Sequence, residues 1–339
     1  MSRIYLDHAA TSPLRPEAKA AMEEGFAIWA NPSSPHAEGR KARAALEDAR
    51  ERCKRALRWK GELIFTSGAS EALAIGLGRA KVARRIVSAV EHDAVFRAAP
   101  DAEIAPVEKG LVDLPGDLDD AVVAIQTVNS ETGAMMLEPG DVASTVSRAG
   151  SLLLSDCSQA AGKIKLPDCD MAVVSAHKLG GPIGIGALLV RDYALLEPTG
   201  GHERGYRHGT ENLPGALGMA AALEAGGQDR WPVSLQHRSD FIDRMAGHML
   251  MCGQANCEYI YGLVHPSVSA QALLIRLDAM GFAVSAGSAC SSGTLKKSRV
   301  LDAFGVDDDT ASRTIRVSIG WNTTPAELEA FAEAWRSLL

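Results

Sequence analysis

Short apolar runs recur along the middle of the chain. They are Leu63-Ile64-Phe65-Thr66, Arg85-Ile86-Val87-Ser88-Ala89-Val90, the run over 121–128, Ser151-Leu152-Leu153-Leu154-Ser155, Met171-Ala172-Val173-Val174 and Gly184-Ile185-Gly186-Ala187-Leu188-Leu189-Val190. Runs of this length, bounded by small polar residues, predict strands buried on both faces. Between several of them lie stretches with helical spacing, at 72–80 and 141–149. Strands alternating with helices from residue 60 to 190 are the signature of a mostly parallel α/β sheet.

Other helices flank that region. Pro16 opens one in which Met22, Phe26 and Trp29 fall at i, i+4 and i+7, which predicts a core-facing side. Residues 37–59 form a basic amphipathic helix. Its apolar stripe is Ala42, Ala45, Leu46, Ala49, Cys53, Ala56 and Leu57, with the arginines on the wet side. Further helices are predicted at 213–225, 270–280 and 325–338, and a strand at 312–318. Residues 100–115 read as connections with one short strand. The composition changes at Gly226-Gly227-Gln228-Asp229-Arg230-Trp231-Pro232, where we place a domain boundary.

The candidate chemistry sits at the ends of the predicted strands, where open α/β sheets bind ligands. Ser175-Ala176-His177-Lys178 holds a lysine at one such end, and a partly dried amine there can condense with an aldehyde. Asp156 closes the preceding strand, with Gln159 one turn later. An acid and a lysine at neighbouring strand ends are what pyridoxal phosphate requires: the acid keeps the ring nitrogen protonated and the lysine carries the aldehyde. Ser67-Gly68-Ala69-Ser70-Glu71 turns from a strand into a helix and offers free N–H groups to an anion. His92 follows another strand, and Arg316 lies in a strand where its planar fork can take a carboxylate.

The order Asp156…Gln159…Ser175-Ala176-His177-Lys178 resembles the class V aminotransferase group of pyridoxal-phosphate enzymes, and within it the cysteine desulfurases of the NifS/IscS type. The likeness runs from Tyr5-Leu6-Asp7-His8-Ala9-Ala10-Thr11 to Arg316-Val317-Ser318-Ile319-Gly320. It implies the fold type I of pyridoxal-phosphate transferases. Residues 16–226 would form a large domain with a mostly parallel sheet of the seven-stranded type. Residues 227–339 would form a smaller α+β domain, and 1–15 a segment packing with it. It further implies that Lys178 carries the cofactor, that Asp156 holds its ring nitrogen and that His92 stacks on the ring as a proton carrier. Ala69 and Ser70 match the phosphate-binding pair, with Gln159, Ser175 and His177 around the cofactor. Asn31 and Arg316 match substrate-binding positions. Cys290, in Ser288-Ala289-Cys290-Ser291, matches the sulfur-accepting thiol. Thr210, in a dense polar and glycine loop over 200–212, would reach the phosphate of a partner copy's cofactor in a homodimer.

The chain departs from the common pattern at Asn129-Ser130, where the family has two adjacent asparagines. The second falls on Ser130, so the bond to the cofactor's phenolic oxygen weakens, passes through water or is taken over by Asn129. The resemblance implies that sulfur leaves L-cysteine for Cys290, alanine is released, and the persulfide passes to an acceptor such as an iron–sulfur scaffold or a tRNA-thiolation protein. Selenocysteine lyase, or a related pyridoxal-phosphate lyase, and a non-catalytic sulfur-transfer partner are the alternatives.

With 339 residues, 46% of them hydrophobic and 23% charged, the chain has the composition of a globular protein of about two domains. A net charge of -7 argues against nucleic acid and anionic membrane as partners. The first residues lack an apolar core of signal-peptide length, and no apolar run approaches a membrane span. The six cysteines form no C-x-x-C pair, which fits a reducing cytoplasm better than a disulfide or metal framework. Cys53, Cys157 and Cys169 read as structural.

Overall fold

The structure, a computed structural model, describes residues 3–137, 141–286 and 298–339. Its centre is a seven-stranded sheet. In spatial order the strands are Glu62–Thr66, Gly186–Val190, Met171–Ser175, Leu152–Asp156, Ala121–Ala124, Arg84–Ser88 and Glu103–Ala105. Gly186–Val190 runs antiparallel to both neighbours, and the remaining pairings are parallel. The five longer parallel strands therefore deliver their carboxyl ends to one edge. The sequence makes them strands because their apolar runs are covered on both faces: every residue of Met171–Ser175 and of Gly186–Val190 is buried. Gly186 fits because a side chain there would meet the Val174 carbonyl oxygen and the Gly68 Cα.

Among the described residues three two-stranded sheets lie outside it, one of them the hairpin of Val107–Glu108 with Leu111–Val112. Ile4–Tyr5 pairs in parallel with Phe282–Ala283, and Ile260–Val264 pairs antiparallel with Thr314–Ser318. The closing helix Pro325–Leu338 buries Leu328, Phe331 and Trp335. Phe331 packs at an edge against Phe282, 5.6 Å between centroids. The first residues of the chain are thus tied to its last hundred.

Several expectations are corrected. The run over 121–128 is a strand only to Ala124; its remainder continues as buried irregular chain, with Val128 in an isolated bridge to Met135. Residues 100–115 hold three short strands rather than one. The helix read from 72 begins earlier, spanning Ala69–Gly78. The strand read from 312 starts at Thr314, because Asp308–Ser312 is a short helix that Asp307 caps.

Phe26 and Trp29 do not face the core: they are 63% and 78% exposed. The helix Pro16–Ile28 buries its small face instead, Ala18, Ala21 and Gly25. That face lies so close to the helix Leu213–Glu224 that a Cβ on Gly25 would sit 2.6 Å from Pro214 Cα. Small residues permit that approach, and the aromatic side is left outward.

The helix Ala37–Leu57 buries Ala42, Leu46, Ala49, Cys53 and Leu57 as expected, whereas Ala56 is exposed. One of its arginines is not on the wet side. Arg50 is buried and grips Glu203 with two bonds, Nη1 to Oε2 at 2.7 Å and Nη2 to Oε1 at 3.0 Å. Glu203 also accepts the Phe65 N–H, and Arg50 donates to the Leu63 carbonyl. The pair ties the 200–212 loop to the sheet's edge strand.

Candidate active site

A cavity of about 840 Å³ opens at the carboxyl ends of the parallel strands. Asp156 ends one strand there, Ser175 ends its neighbour with Lys178 just beyond, and Glu91 and His92 follow Arg84–Ser88. Ala69 and Ser70 line it from the first turn of the Ala69–Gly78 helix, whose N-cap Gly68 supplies no side-chain cap. Gly68, with φ of +152°, has open space where a Cβ would stand.

The Lys178 amine is held by the first residues of the chain. It donates to the carbonyl oxygens of Ala9 and Ala10 at 2.6 and 2.7 Å. Gln159 donates to the same Ala9 carbonyl from Nε2, at 2.9 Å, and accepts from Lys163 at 3.2 Å. His177 exchanges a bond with Thr11 at 3.1 Å, and burial first, then the charges of Lys178 and Lys163, push its pKa down to about 4. Asp156 is buried and accepts the Ser158 N–H at 2.9 Å.

His92 lines the cavity. Its Nδ1 accepts the Ala94 N–H at 3.1 Å, so the neutral ring carries its proton on Nε2. Burial lowers its pKa; Asp156 opposes that shift and Lys178 adds to it, so the ring is neutral at pH 7. Beside it Glu91 is fully buried, with Oε1 accepting the Gln126 N–H at 2.8 Å and Oε2 without a partner among the described residues. Burial raises its pKa well above the usual carboxylate value; the Gln126 N–H opposes that shift and the nearby Asp156 adds to it.

At the opposite wall Arg316 is 7% exposed. It donates from Nη1 to the Ser130 carbonyl at 2.9 Å, and from Nη2 to Asp7 Oδ1 at 2.8 Å and Ser285 Oγ at 2.7 Å. Among the described residues its Nε has no partner.

Of the residues singled out from sequence, the cavity wall brings together Ala69, Ser70, His92, Ser130, Asp156, Gln159, Ser175, His177, Lys178 and Arg316. Three others stand apart from it. Asn129 is turned away: its Oδ1 accepts from the N–H groups of Glu131 and Thr132 and from the Thr132 hydroxyl, and its Nδ2 donates to Val90. Of the Asn129-Ser130 pair, Ser130 lines the cavity and Asn129 does not. Asn31 is exposed and closes a turn with the Ser33 N–H at 2.8 Å, and Thr210 is exposed on the 200–212 loop. Those two segments meet, Ser33 lying 3.5 Å from His202. Cys290 lies outside the described residues.

Pattern reading passed over Asp7, Glu91, Lys163 and Ser285. Glu91 carried a signal, since it precedes His92 at the same strand end. Lys163 carried none; its surroundings become polar and buried only through distant packing.

The profile of the family described as Aminotransferase class-V matches residues 4–331. A cysteine desulfurase of Cereibacter sphaeroides is 34% identical, over 98% of this chain and 95% of its own. Cysteine desulfurase IscS of Dictyoglomus turgidum is likewise 34% identical, over 96% and 91%. Among solved structures, a NifS-like protein from Rickettsia africae superposes with a TM-score of 0.85 at 26% identity, covering 99% of both chains. A structure described as SspA in complex with cysteine gives a TM-score of 0.78 at 26% identity, over 95% of this chain and all of that one. A seven-stranded sheet with a strand-end lysine, acid and histidine around one cavity is thus matched along nearly the whole chain by enzymes of one kind, and the chain belongs to the class V aminotransferase family as one of its cysteine desulfurases.

Proposed function

We propose that this enzyme takes sulfur from L-cysteine with pyridoxal phosphate as cofactor and Cys290 as sulfur acceptor. The observation that carries the reading is one cavity in which the Lys178 amine, the buried Asp156, a neutral His92 and the Arg316 guanidinium all face the same space. The residues present suit the cofactor. The Ala69–Gly78 helix start and the Ser70 hydroxyl would hold its phosphate. Asp156 would hold a proton on its ring nitrogen, and Ser130, the cavity-lining member of the Asn129-Ser130 pair, would face its phenolic oxygen. When bound, pyridoxal phosphate supplies an electron sink for bonds made and broken at the substrate's carbon atoms.

The chain's own groups do the rest. The carbonyls of Ala9 and Ala10, which line the same cavity, aim the Lys178 amine. His92 carries a proton on Nε2, within a wall that also holds Asp156 and Lys178, and is placed to move it. Arg316 would anchor the substrate carboxylate. The Cys290 thiolate attacks the substrate sulfur: the carbon–sulfur bond breaks, a sulfur–sulfur bond forms, and L-cysteine plus thiol become L-alanine plus persulfide. The persulfide would pass to an acceptor protein. The exposed Phe26 and Trp29, with the adjoining 31–36 and 200–212 loops, support a homodimer in which Thr210 serves the partner's site. Among the described residues no helix is long and apolar enough to cross a membrane.

Two replacements test the reading. Lys178→Ala is expected to remove the absorption band at about 400 nm that a lysine-bound cofactor gives. Cys290→Ala is expected to keep that band and lose persulfide formation, followed by alanine release from cysteine. Undiminished turnover by Cys290→Ala would remove Cys290 from the mechanism.

A further inference from the structure

Arg316 already holds a carboxylate. Asp7 Oδ1 lies 2.8 Å from Nη2, both side chains line the cavity, and Ser285 Oγ bridges them, 2.7 Å from Nη2 and 2.9 Å from Asp7 Oδ1. A guanidinium can grip a carboxylate with two parallel bonds along only two edges, Nη1 with Nη2 or Nε with Nη2. Each edge runs through Nη2, the nitrogen that carries Asp7. Nη1 is also engaged, by the Ser130 carbonyl at 2.9 Å, and Nε, which has no partner among the described residues, offers a single bond. A second carboxylate arriving beside Asp7 would place two negative charges on one cation in a largely buried setting, where like charges repel strongly.

From this we infer that Asp7 is a resident competitor for Arg316, a positioning residue that the substrate carboxylate must displace and that thereby sets how tightly L-cysteine binds. The inference rests on the reading of Arg316 as the carboxylate anchor. It accounts for a buried arginine fully oriented before substrate arrives: Asp7 and Ser285 keep the fork in place, and one of the two gives way to a ligand of the same chemistry. It also makes recognition selective, because a neutral group has nothing with which to replace the aspartate.

The test uses the full chain loaded with pyridoxal phosphate and two probes, 3-mercaptopropionate, which has the thiol and carboxylate but no amine, and cysteamine, which has no carboxylate. Asp7→Asn keeps shape and hydrogen bonding and removes the charge. It is expected to tighten 3-mercaptopropionate in calorimetry, and to lower KM for L-cysteine, by about tenfold, the worth of one charge-assisted bond. Cysteamine binding is expected to stay within about twofold of the unmodified enzyme, since a ligand without a carboxylate does not enter the competition. Unchanged or weaker 3-mercaptopropionate binding would overturn the inference and make Asp7 a fixed support. Arg316→Gln separates the two ideas: if it binds 3-mercaptopropionate as well as the parent does, the anchor reading itself fails, whatever Asp7→Asn does. Should Asp7→Asn not fold, a crystal structure of the unaltered protein with 3-mercaptopropionate decides. Asp7 Oδ1 withdrawn from Nη2 supports the inference, and Asp7 still bonded there with the ligand gripped on Arg316 overturns it.

Discussion

Lys163 is a second lysine behind the site, and replacing it by methionine measures what its burial costs. It is 8% exposed, bonded through its amine to Gln159 and set 5.2 Å from the Tyr259 ring centroid. Burial is the main cause that lowers its pKa from 10.5 to about 7; Cys257 opposes the shift and Lys178 adds to it. Unfolding restores the ordinary value. Between the two values the unfolded chain binds more protons, so stability rises with pH across that window and is flat below it. Worked through, the amine costs the fold about 4 kcal/mol at pH 7 and about 2 kcal/mol at pH 9. Methionine has a similar reach and no charge. It gives up a hydrogen bond and a cation–π contact, each worth about 1 kcal/mol. Lys163→Met is therefore expected to be about 2 kcal/mol more stable than the parent at pH 7 and about 1 kcal/mol more stable at pH 9, where the neutral amine makes no cation–π contact. Guanidinium unfolding of both proteins at pH 7, 8 and 9 gives the two curves. A variant less stable at pH 7, or a difference that does not change with pH, would refute the reasoning and mean that the buried amine keeps its charge with compensation.

Two further outcomes follow from the same principles. His8 and His177 are held neutral, their pKa values pushed down to about 3 and about 4, in each case mainly by burial. The unfolded chain protonates both below about pH 6.5, so stability is present above that value and drains away as pH falls; between pH 7 and pH 5 the two together should remove about 4 kcal/mol, read from denaturant midpoints, and replacing both with glutamine should flatten that part of the curve. Glu203→Ala leaves the buried Arg50 with only the weaker Glu47 ion pair, 3.3 Å from Nε, and should cost about 3 kcal/mol in unfolding free energy, whereas Arg50→Met with Glu203→Leu should recover much of the loss.

What could be read from the chain, and what could not, divides along the distance over which each feature is decided. The strands at 152–156, 171–175 and 186–190 were legible because burial on both faces leaves a local mark, a run without polar interruption. Phe26 and Trp29 misled because spacing identifies a face without saying what covers it; Gly25 against Pro214, nearly two hundred positions away, decides that question. Arg50 looked like any solvated arginine of an amphipathic helix until Glu203 reached it across 153 positions. The site follows the same rule. Strand-end residues such as Asp156, Lys178 and His92 could be nominated one by one, since each owes its place to its own strand. Asn129 and Ser130 could not be told apart, because the choice depends on which side chain the loop uses up for itself.

The least legible contacts are those that join the two ends of the chain. Asp7 meets Arg316 across 309 positions, and two residues after Asp7 the backbone begins to hold Lys178. The backbone of Leu6 and Ala9 is in turn held by Ser318, through Ser318 N–H to the Leu6 carbonyl at 2.8 Å and Ala9 N–H to Ser318 Oγ at 2.9 Å. A short segment near the start of the chain thus runs between the anchor proposed for the substrate and the amine proposed for the chemistry, and is pinned by the strand that carries the anchor. Its own side chains are small from Ala9 to Thr11, so what it contributes is carbonyl oxygens at fixed positions. No pattern of side chains announces such a role. The consequence is physical: a substitution that shifts the backbone between Asp7 and Thr11 disturbs carboxylate binding and the lysine together, whereas one at Ser70 or Asp156 touches a single wall of the cavity.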